Sequence, residues 1–538
     1  MKSDGRELDR RVTPMPRNSA RPVVTLLAIL SIVLALYQLQ RANDGIRIIS
    51  TTVDTTPVTI YRPQSIVTAP AVVIAHGFAG SQQLMQPFAL TLARNGYVAV
   101  TFDFLGHGRN PTPMRGDITK EKGITDALIR ELGAVADFAQ ALPQSDGRLA
   151  VIGHSMASDI VVRYAADNRD VQATVAVSAF SKAPTATTPR NLLVIVGALE
   201  PAMLRDEGVR IVGLATEGTV SPAITYGEFD NGTARRLALA RGVEHIGVLY
   251  SRDSLTEALN WIDASFDRRS GGLVEAPGGW LALLFGGILA LAWPLSRWLP
   301  AVRLRSRRPG LGWGAVALAA VTPALLTPLL LWKMPTDFLP ILLGDYLTLH
   351  FLVYGALTGA MLWWMRSRLP AHRHPRPTDT PQTIARHDAT LHRRWQRIAN
   401  GALAVAAFNI VAFGLPIDTY LFSFVPIPQR WPIVAAIACG AVPFFVADEA
   451  LSAIANRFGV YALTKLGFLL SLALAILLNP PKLFFLAIIV PAILILFVVF
   501  GVVSRLALRA TGHPLPGALG NAALFAWAIA CTFPMVVR

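Results

Sequence analysis

Cysteine is almost missing from this chain: 2 residues in 538, Cys439 and Cys531, each inside an apolar run and far apart in sequence. That spacing offers neither a disulfide framework nor a cysteine-type zinc site, and it leaves the redox compartment open. Charge is scarce too, at 15% of residues against 53% hydrophobic, which is too apolar for a wholly soluble protein of this size. No Gly-rich phosphate loop, no His-Glu-x-x-His pair and no repeat of fixed period stands out. No cofactor and no metal are expected.

The net charge of +15 suggests nucleic acid only until the charges are located: residues 41–267 hold about 20 basic and about 23 acidic side chains. The basic excess sits in the flanks, mostly in short loops between apolar runs, where Lys and Arg mark the cytoplasmic side of a membrane. The expected partner surface is therefore a lipid bilayer, with no nucleic acid.

Residues 1–21 are polar and carry Lys2, Arg6, Arg10, Arg11, Arg17 and Arg21 ahead of the apolar run Pro22 to Tyr37. The run is longer than most signal cores and no small-x-small cleavage site follows, so 22–39 reads as a membrane anchor with a cytoplasmic N-terminus. Beyond Gly271, apolar runs near 279–299, 311–333, 338–365, 398–415, 431–449, 460–479, 483–504 and 518–536 make a multi-span domain over 278–538 of about eight helices. Loops 300–310 and 366–397 are rich in arginine, whereas 334–337, 416–430 and 480–482 are nearly uncharged. By this alternation the segment between anchor and bundle lies on the outer face, periplasmic if the membrane is a bacterial inner membrane.

That segment, 46–267, alternates short β-rich runs with helical stretches, the pattern of a mostly parallel sheet with helices on both faces. Strands are expected near 46–52, 59–62, 71–75, 97–102, 149–153, 173–177, 191–196 and 222–228, and helices near 84–95, 118–141, 156–167 and 254–266.

Its chemistry centres on Leu149-Ala150-Val151-Ile152-Gly153-His154-Ser155-Met156-Ala157. An apolar strand running into a serine flanked by small residues reads as a nucleophile elbow, where Gly153 and Ala157 let strand and helix pass closely; Ala157 stands where glycine is usual. The same residues also describe an ordinary strand-to-helix junction, so the neighbours matter. Ser155 needs a general base, and the base needs an acid to hold its tautomer. His245, in Gly242-Val243-Glu244-His245, follows the last strand region and precedes a helix, where a loop carries an imidazole over the sheet; its bland reading is a surface histidine. Glu200 ends the buried run Leu193-Val194-Ile195-Val196-Gly197-Ala198-Leu199-Glu200 and is the first choice of acid, with Glu228 and Asp230 as competitors and a helix N-terminal carboxylate as the bland alternative. An oxyanion would be met by the N–H groups of Phe78, in His76-Gly77-Phe78-Ala79-Gly80-Ser81, and of Met156.

On these residues, together with Asp103-Phe104-Leu105-Gly106-His107-Gly108-Arg109, the segment 46–267 resembles the α/β-hydrolase superfamily. The resemblance implies an α/β-hydrolase fold, with a nucleophile at Ser155, an acid at Glu200 where most relatives have Asp, and a base at His245. It implies a structural turn at Gly106-His107-Gly108, with no chemistry for His107. The fold class expected is thus an α/β-hydrolase domain joined to an all-α polytopic transmembrane domain.

The expected function is a membrane-anchored serine hydrolase that cleaves carboxylic esters through an acyl-enzyme on Ser155, taking a small-molecule or peptide acyl substrate. A serine peptidase or amidase, or an acyltransferase, uses the same triad, and a non-catalytic transporter or assembly factor with a hydrolase-like binding domain is the alternative from another class. Asp345 and His350, inside one apolar run, are a candidate membrane-domain site. Five positions apart, they point about 140° away from each other on a helix. Asp448 and Glu449 read as interfacial, and Lys465 as snorkelling. The loop between the strands ending at Val177 and starting at Asn191 is too short for a large lid, and both tethers are expected to leave the sheet edge opposite Ser155, turning the site away from the bilayer.

Overall fold

The computed structural model describes residues 20–65, 68–116, 121–216, 218–302, 311–368, 381–455 and 459–537. The first 19 residues of the basic N-terminus, most of loop 300–310, part of loop 366–397 and residues 118–120 of one expected helix lie outside them.

The first half is built on β1 (Ile46–Val53), β2 (Thr56–Pro63), β3 (Ala69–Ala75), β4 (Val98–Phe102), β6 (Ser145–His154), β7 (Val171–Val177), β8 (Leu192–Gly197), β9 (Thr225–Tyr226) and β10 (Arg235–Ala240), in the order β1-β2-β4-β3-β6-β7-β8-β10-β9. Pairing is parallel from β4 through β3, β6, β7 and β8 to β10, while β1, β2 and β9 are antiparallel additions. The central strands are continuous apolar runs because both faces are covered. In β3, Val72 and Ile74 face one core and Ala71, Val73 and Ala75 the other. Helices α2 (Gln86–Arg94) and α6 (Arg252–Ser265) cover the first face; α3 (Asp126–Ala141), α4 (Met156–Asp167) and α5 (Ala202–Gly213) cover the second.

Two elements differ from expectation. The last parallel strand is Arg235–Ala240, and the expected stretch 222–228 holds only the two-residue β9. Arg-Arg-Leu-Ala-Leu-Ala lacks β-branched residues, and its place beside β8 overrides that weak propensity. Helix α5 was not expected; its run carries Gly208, and a Cβ there would come within 2.8 Å of Leu237 Cδ1.

The second half is helical. Its elements are α1 (Ala20–Arg41), which precedes the sheet in sequence, then α7 (Gly278–Leu295), α8 (Trp313–Leu331), α9 (Gly344–Ser367), α10 (Pro381–Ala407), α11 (Gly414–Tyr420), α12 (Trp431–Ala455), α13 (Val460–Leu478), α14 (Pro480–Thr511) and α15 (Leu515–Thr532). With α10 and α11 counted as one stretch, 9 helices among the described residues are long and apolar enough to cross a membrane. Small residues let them approach closely. A Cβ on Gly440 of α12 would lie 2.2 Å from Thr348 O of α9, and one on Gly287 of α7 would lie 3.1 Å from Ala28 O of α1.

The halves dock through the loops that follow β3 and β4. Ser423 N–H donates to Ser81 Oγ (2.9 Å), Ser423 Oγ donates to Gln83 Oε1 (3.0 Å), and Arg109 pairs with Asp418 at 2.6 Å. The buried Arg430 guanidinium donates to Ala530 O, Phe533 O and Gly106 O at 2.5, 2.8 and 2.8 Å. Strand β5 (Met114–Arg115) pairs in parallel with β11 (Val536–Val537). The edge that carries Ser155 is therefore turned toward the helical half, opposite to the expected direction. The reason lies in the second tether. Residues 267–277 fold back along α2, with Leu273 hydrogen-bonded to Asn95 and Glu275 paired with Arg94, and arrive at Gly278 beside Tyr250. An extended chain gains roughly 3.3 Å per residue, so a tether of this length recrosses the sheet easily.

Candidate active site

Strand β6 ends at His154, and Ser155 takes φ 53° and ψ −116° before α4 begins at Met156. This left-handed backbone is strained for a side chain and is over-determined by its surroundings. Ser155 N–H donates to Val177 O at 2.9 Å. A Cβ on Gly153 would fall 2.3 Å from Ala157 O, so glycine is required there, whereas the Ala157 methyl is accommodated in full burial.

Above the carboxyl edge three side chains form a chain of hydrogen bonds. His245 Nε2 lies 3.0 Å from Ser155 Oγ, and His245 Nδ1 lies 2.7 Å from Glu200 Oε2. The other Glu200 oxygen accepts from Ser178 Oγ (2.8 Å) and Gly197 N–H (2.7 Å). With Nδ1–H donated to the carboxylate, Nε2 is left as the acceptor facing the serine hydroxyl. The competing carboxylates are elsewhere: Glu228 holds Asn231 in the turn before β10, and Asp230 is in the same turn.

The turn after β3 lies against this group. Gly80 N–H donates to Gly77 O at 3.1 Å, Ala79 has φ 55°, and a Cβ on Gly77 would sit 3.0 Å from His154 Nδ1, His154 O and Ser155 Cβ. Met156, first in α4, presents one of the N–H groups that a helix start leaves free for a ligand. The Phe78 ring packs on Phe485 of α14 with centroids 4.5 Å apart.

Several residues here had no assigned role in the sequence reading. His154 Nε2–H donates to His245 O at 3.0 Å and so holds the backbone of the imidazole-bearing loop. His76 accepts Phe104 N–H at Nε2 (3.1 Å) and gives Nδ1–H to Gly77 O (2.8 Å), tying the turn after β3 to the turn after β4. Asp103 accepts from Gln82 N–H and Arg109 N–H at 2.8 and 2.9 Å. Glu131 accepts from Thr56 Oγ1, Leu105 N–H and Asn110 Nδ2, and burial pushes its carboxyl up to about 7. Burial also lowers the pKa of His76, His107 and His154, the last two well below the ordinary imidazole value. The signal for Ser178 was its place just past a strand adjoining the elbow; His154 had only its adjacency to the serine.

In the helical half, Asp345 lies in the first turn of α9 and accepts Phe338 N–H (3.0 Å) and Tyr346 N–H (2.9 Å), the pattern of a helix-end cap. His350 lies deeper, with Nε2 3.1 Å from Ser471 Oγ and Nδ1 3.3 Å from Tyr346 Oη. Asp448, Glu449 and Lys465 are 2–3% exposed, and Lys465 does not snorkel: it pairs with Asp448 among the rings of Phe444, Phe445, Tyr461 and Phe497. Pairing with Asp448 lets the ammonium stay inside the bundle instead of reaching for its end.

Residues 68–207 match the family model described as serine aminopeptidase, S33. Among solved structures the chain is similar to a hyperthermophilic esterase from the archaeon Pyrobaculum calidifontis, 18% identical over 46% of this chain and 97% of that one, with a TM-score of 0.32. It is also similar to a CIB-like hydrolase from Thermoplasma acidophilum, 15% identical over 41% of this chain and 98% of that one, with a TM-score of 0.30. No curated protein matches the sequence. With its mostly parallel sheet, and a family match that runs from β3 into α5, the first half of this chain has the α/β-hydrolase fold, carried in one polypeptide with a large half of apolar helices.

Proposed function

We propose that the chain is a membrane-anchored serine hydrolase of carboxylic esters, and the observation that carries the reading is the unbroken line from Glu200 through His245 to Ser155, at 2.7 and 3.0 Å. Ser155 Oγ attacks the ester carbonyl as its proton passes to His245 Nε2. The oxyanion is met by the Phe78 and Met156 N–H groups, and Glu200 stays ionised to stabilise the imidazolium. The C–O bond breaks, the leaving alkoxide takes the proton from Nε2, and an acyl-Ser155 ester remains. Water then attacks with His245 again as base, freeing the acid and the serine.

The apolar helices support the membrane anchoring. Helix ends on the hydrolase side carry few charges, whereas the sequence puts Arg303, Arg305, Arg307 and Arg308 between α7 and α8, an alternation that favours a hydrolase domain outside the cytoplasm.

Labelling of full-length protein in detergent with a fluorophosphonate probe tests the reading. Wild type labels and Ser155→Ala does not, while Ser155→Ala and His245→Ala each lower ester turnover by about 10⁴- to 10⁶-fold and Glu200→Gln by about 10⁴-fold. Equal labelling of Ser155→Ala would sink it. The description of the matching family favours an amide as the second reading. Parallel assays on p-nitrophenyl acyl esters and aminoacyl p-nitroanilides separate the two.

A further inference from the structure

The helical half carries its own depth gauge. Exposed tryptophans gather at both ends: Trp298, Trp313, Trp363, Trp364 and Trp395 (43–73% exposed) at the end far from the hydrolase, and Trp280, Trp332 and Trp431 (37–48%) at the near end. Amphipathic rings in two bands mark the two interfaces of a bilayer. The near band lies level with the catalytic edge. Trp431 directly follows Arg430, whose guanidinium holds Gly106 O; Trp280 is two residues past Gly278, which rests on Tyr250, just beyond His245; and the Phe78 ring packs, tilted, against Phe485 in the second turn of α14.

The part of that edge not covered by helices carries a group of exposed apolar side chains, with Lys182, Asp206 and Glu244 exposed beside them. Phe180 (52% exposed) follows β7, Leu199 (67%) and Met203 (54%) follow β8, and Ile246 (38%) follows His245 after β10. They surround the site: Leu199 N–H donates to Val243 O at 3.0 Å, next to the His245 loop, and Phe180 is two residues past Ser178, which holds Glu200. Exposed apolar groups gathered at one mouth mark a surface meant to be covered.

We propose that this rim rests in the lipid interface and that the substrate is an ester resident in the bilayer, reaching Ser155 laterally from the lipid without passing through water. The substrate class rests on the hydrolase reading above; the seating of the rim does not. Helix ends already hold half of the same edge at the level of the near tryptophan band, so the uncovered half lies over the acyl boundary. A lipid ester whose carbonyl sits at headgroup depth then needs little extraction to meet the serine.

Full-length protein in phosphatidylcholine–phosphatidylglycerol nanodiscs tests both parts. With Cys439→Ala and the buried Cys531 kept, a nitroxide on Phe180→Cys is expected to collide more with oxygen than with a water-soluble nickel chelate; preference for the nickel chelate overturns the seating. Turnover of a long-chain fluorogenic acylglycerol in the nanodisc is compared with that of a short water-soluble ester. Phe180→Asp with Met203→Asp is expected to lower the bilayer-to-soluble rate ratio at least tenfold, and an unchanged ratio overturns lateral delivery. If Ser155 is not the nucleophile, neither ester is cut and the fluorophosphonate does not label, while the nitroxide still reports where the rim sits.

Discussion

Three histidines, His76, His107 and His154, are completely or almost completely buried around the carboxyl edge that carries Ser155, and each hydrogen-bonds a backbone carbonyl. Burial lowers all three pKa values below the unfolded value near 6.5. The folded state then binds fewer protons than the unfolded one below about pH 6.5, so this contribution to stability is complete above that pH and is lost as pH falls. Each ring contributes up to about 1.4 kcal/mol per pH unit. His107→Asn, which removes the ring whose Nε2 has no hydrogen-bond partner, is expected to flatten the acid slope in denaturation curves between pH 7 and 5, a slope that the Glu131 carboxyl, pushed up to about 7 by burial, opposes. An unaltered slope would show that His107 is not among the titrating groups. At this scale the residues legible as candidates were those shortly past a strand, Ser155 and Glu200, or within the loop after one, His245. His154 and Ser178 act through a carbonyl and a hydroxyl aimed across the edge, and that depends on neighbouring strands which no local pattern specifies.

Helices α12, α13 and α14 enclose an ammonium among aromatic rings, and the pair it makes with Asp448 is far from solvent. Removing one partner of such a pair strands a charge, at a cost of about 3–5 kcal/mol, whereas removing both leaves only a packing change. Lys465→Met is therefore expected to lower the melting temperature in detergent well below that of Lys465→Met with Asp448→Leu. The reverse order would mean that the two groups are not energetically coupled. The elements most open to sequence reading were the long apolar helices and the uniformly apolar strands, since both are set by burial alone. Strand β10 and helix α5 were hidden for opposite reasons: Leu-Ala alternation is a poor β signal, and glycine beside the sheet weakens a helical one.

For the whole molecule, the orientation of the hydrolase was not legible, because a tether's length limits where it reaches and not the path it takes. Arg430 is the central tie between halves. Arg430→Met leaves the carbonyls of Gly106, Ala530 and Phe533 without this donor, and trypsin is expected to cut at Arg109 and Arg115 several times faster than in wild type. Equal cleavage rates would place the docking energy elsewhere along the interface.

That tie joins positions 324 residues apart. A ribosome delivers the β-sheet long before it delivers the helices that brace the turns after β3 and β4. The sheet has local partners and is free to form early, but the turns at its carboxyl edge must wait for those later helices to brace them. Bracing of that edge is thereby a late event in synthesis, and a chain stalled before Arg430 carries a sheet whose turns lack this tie.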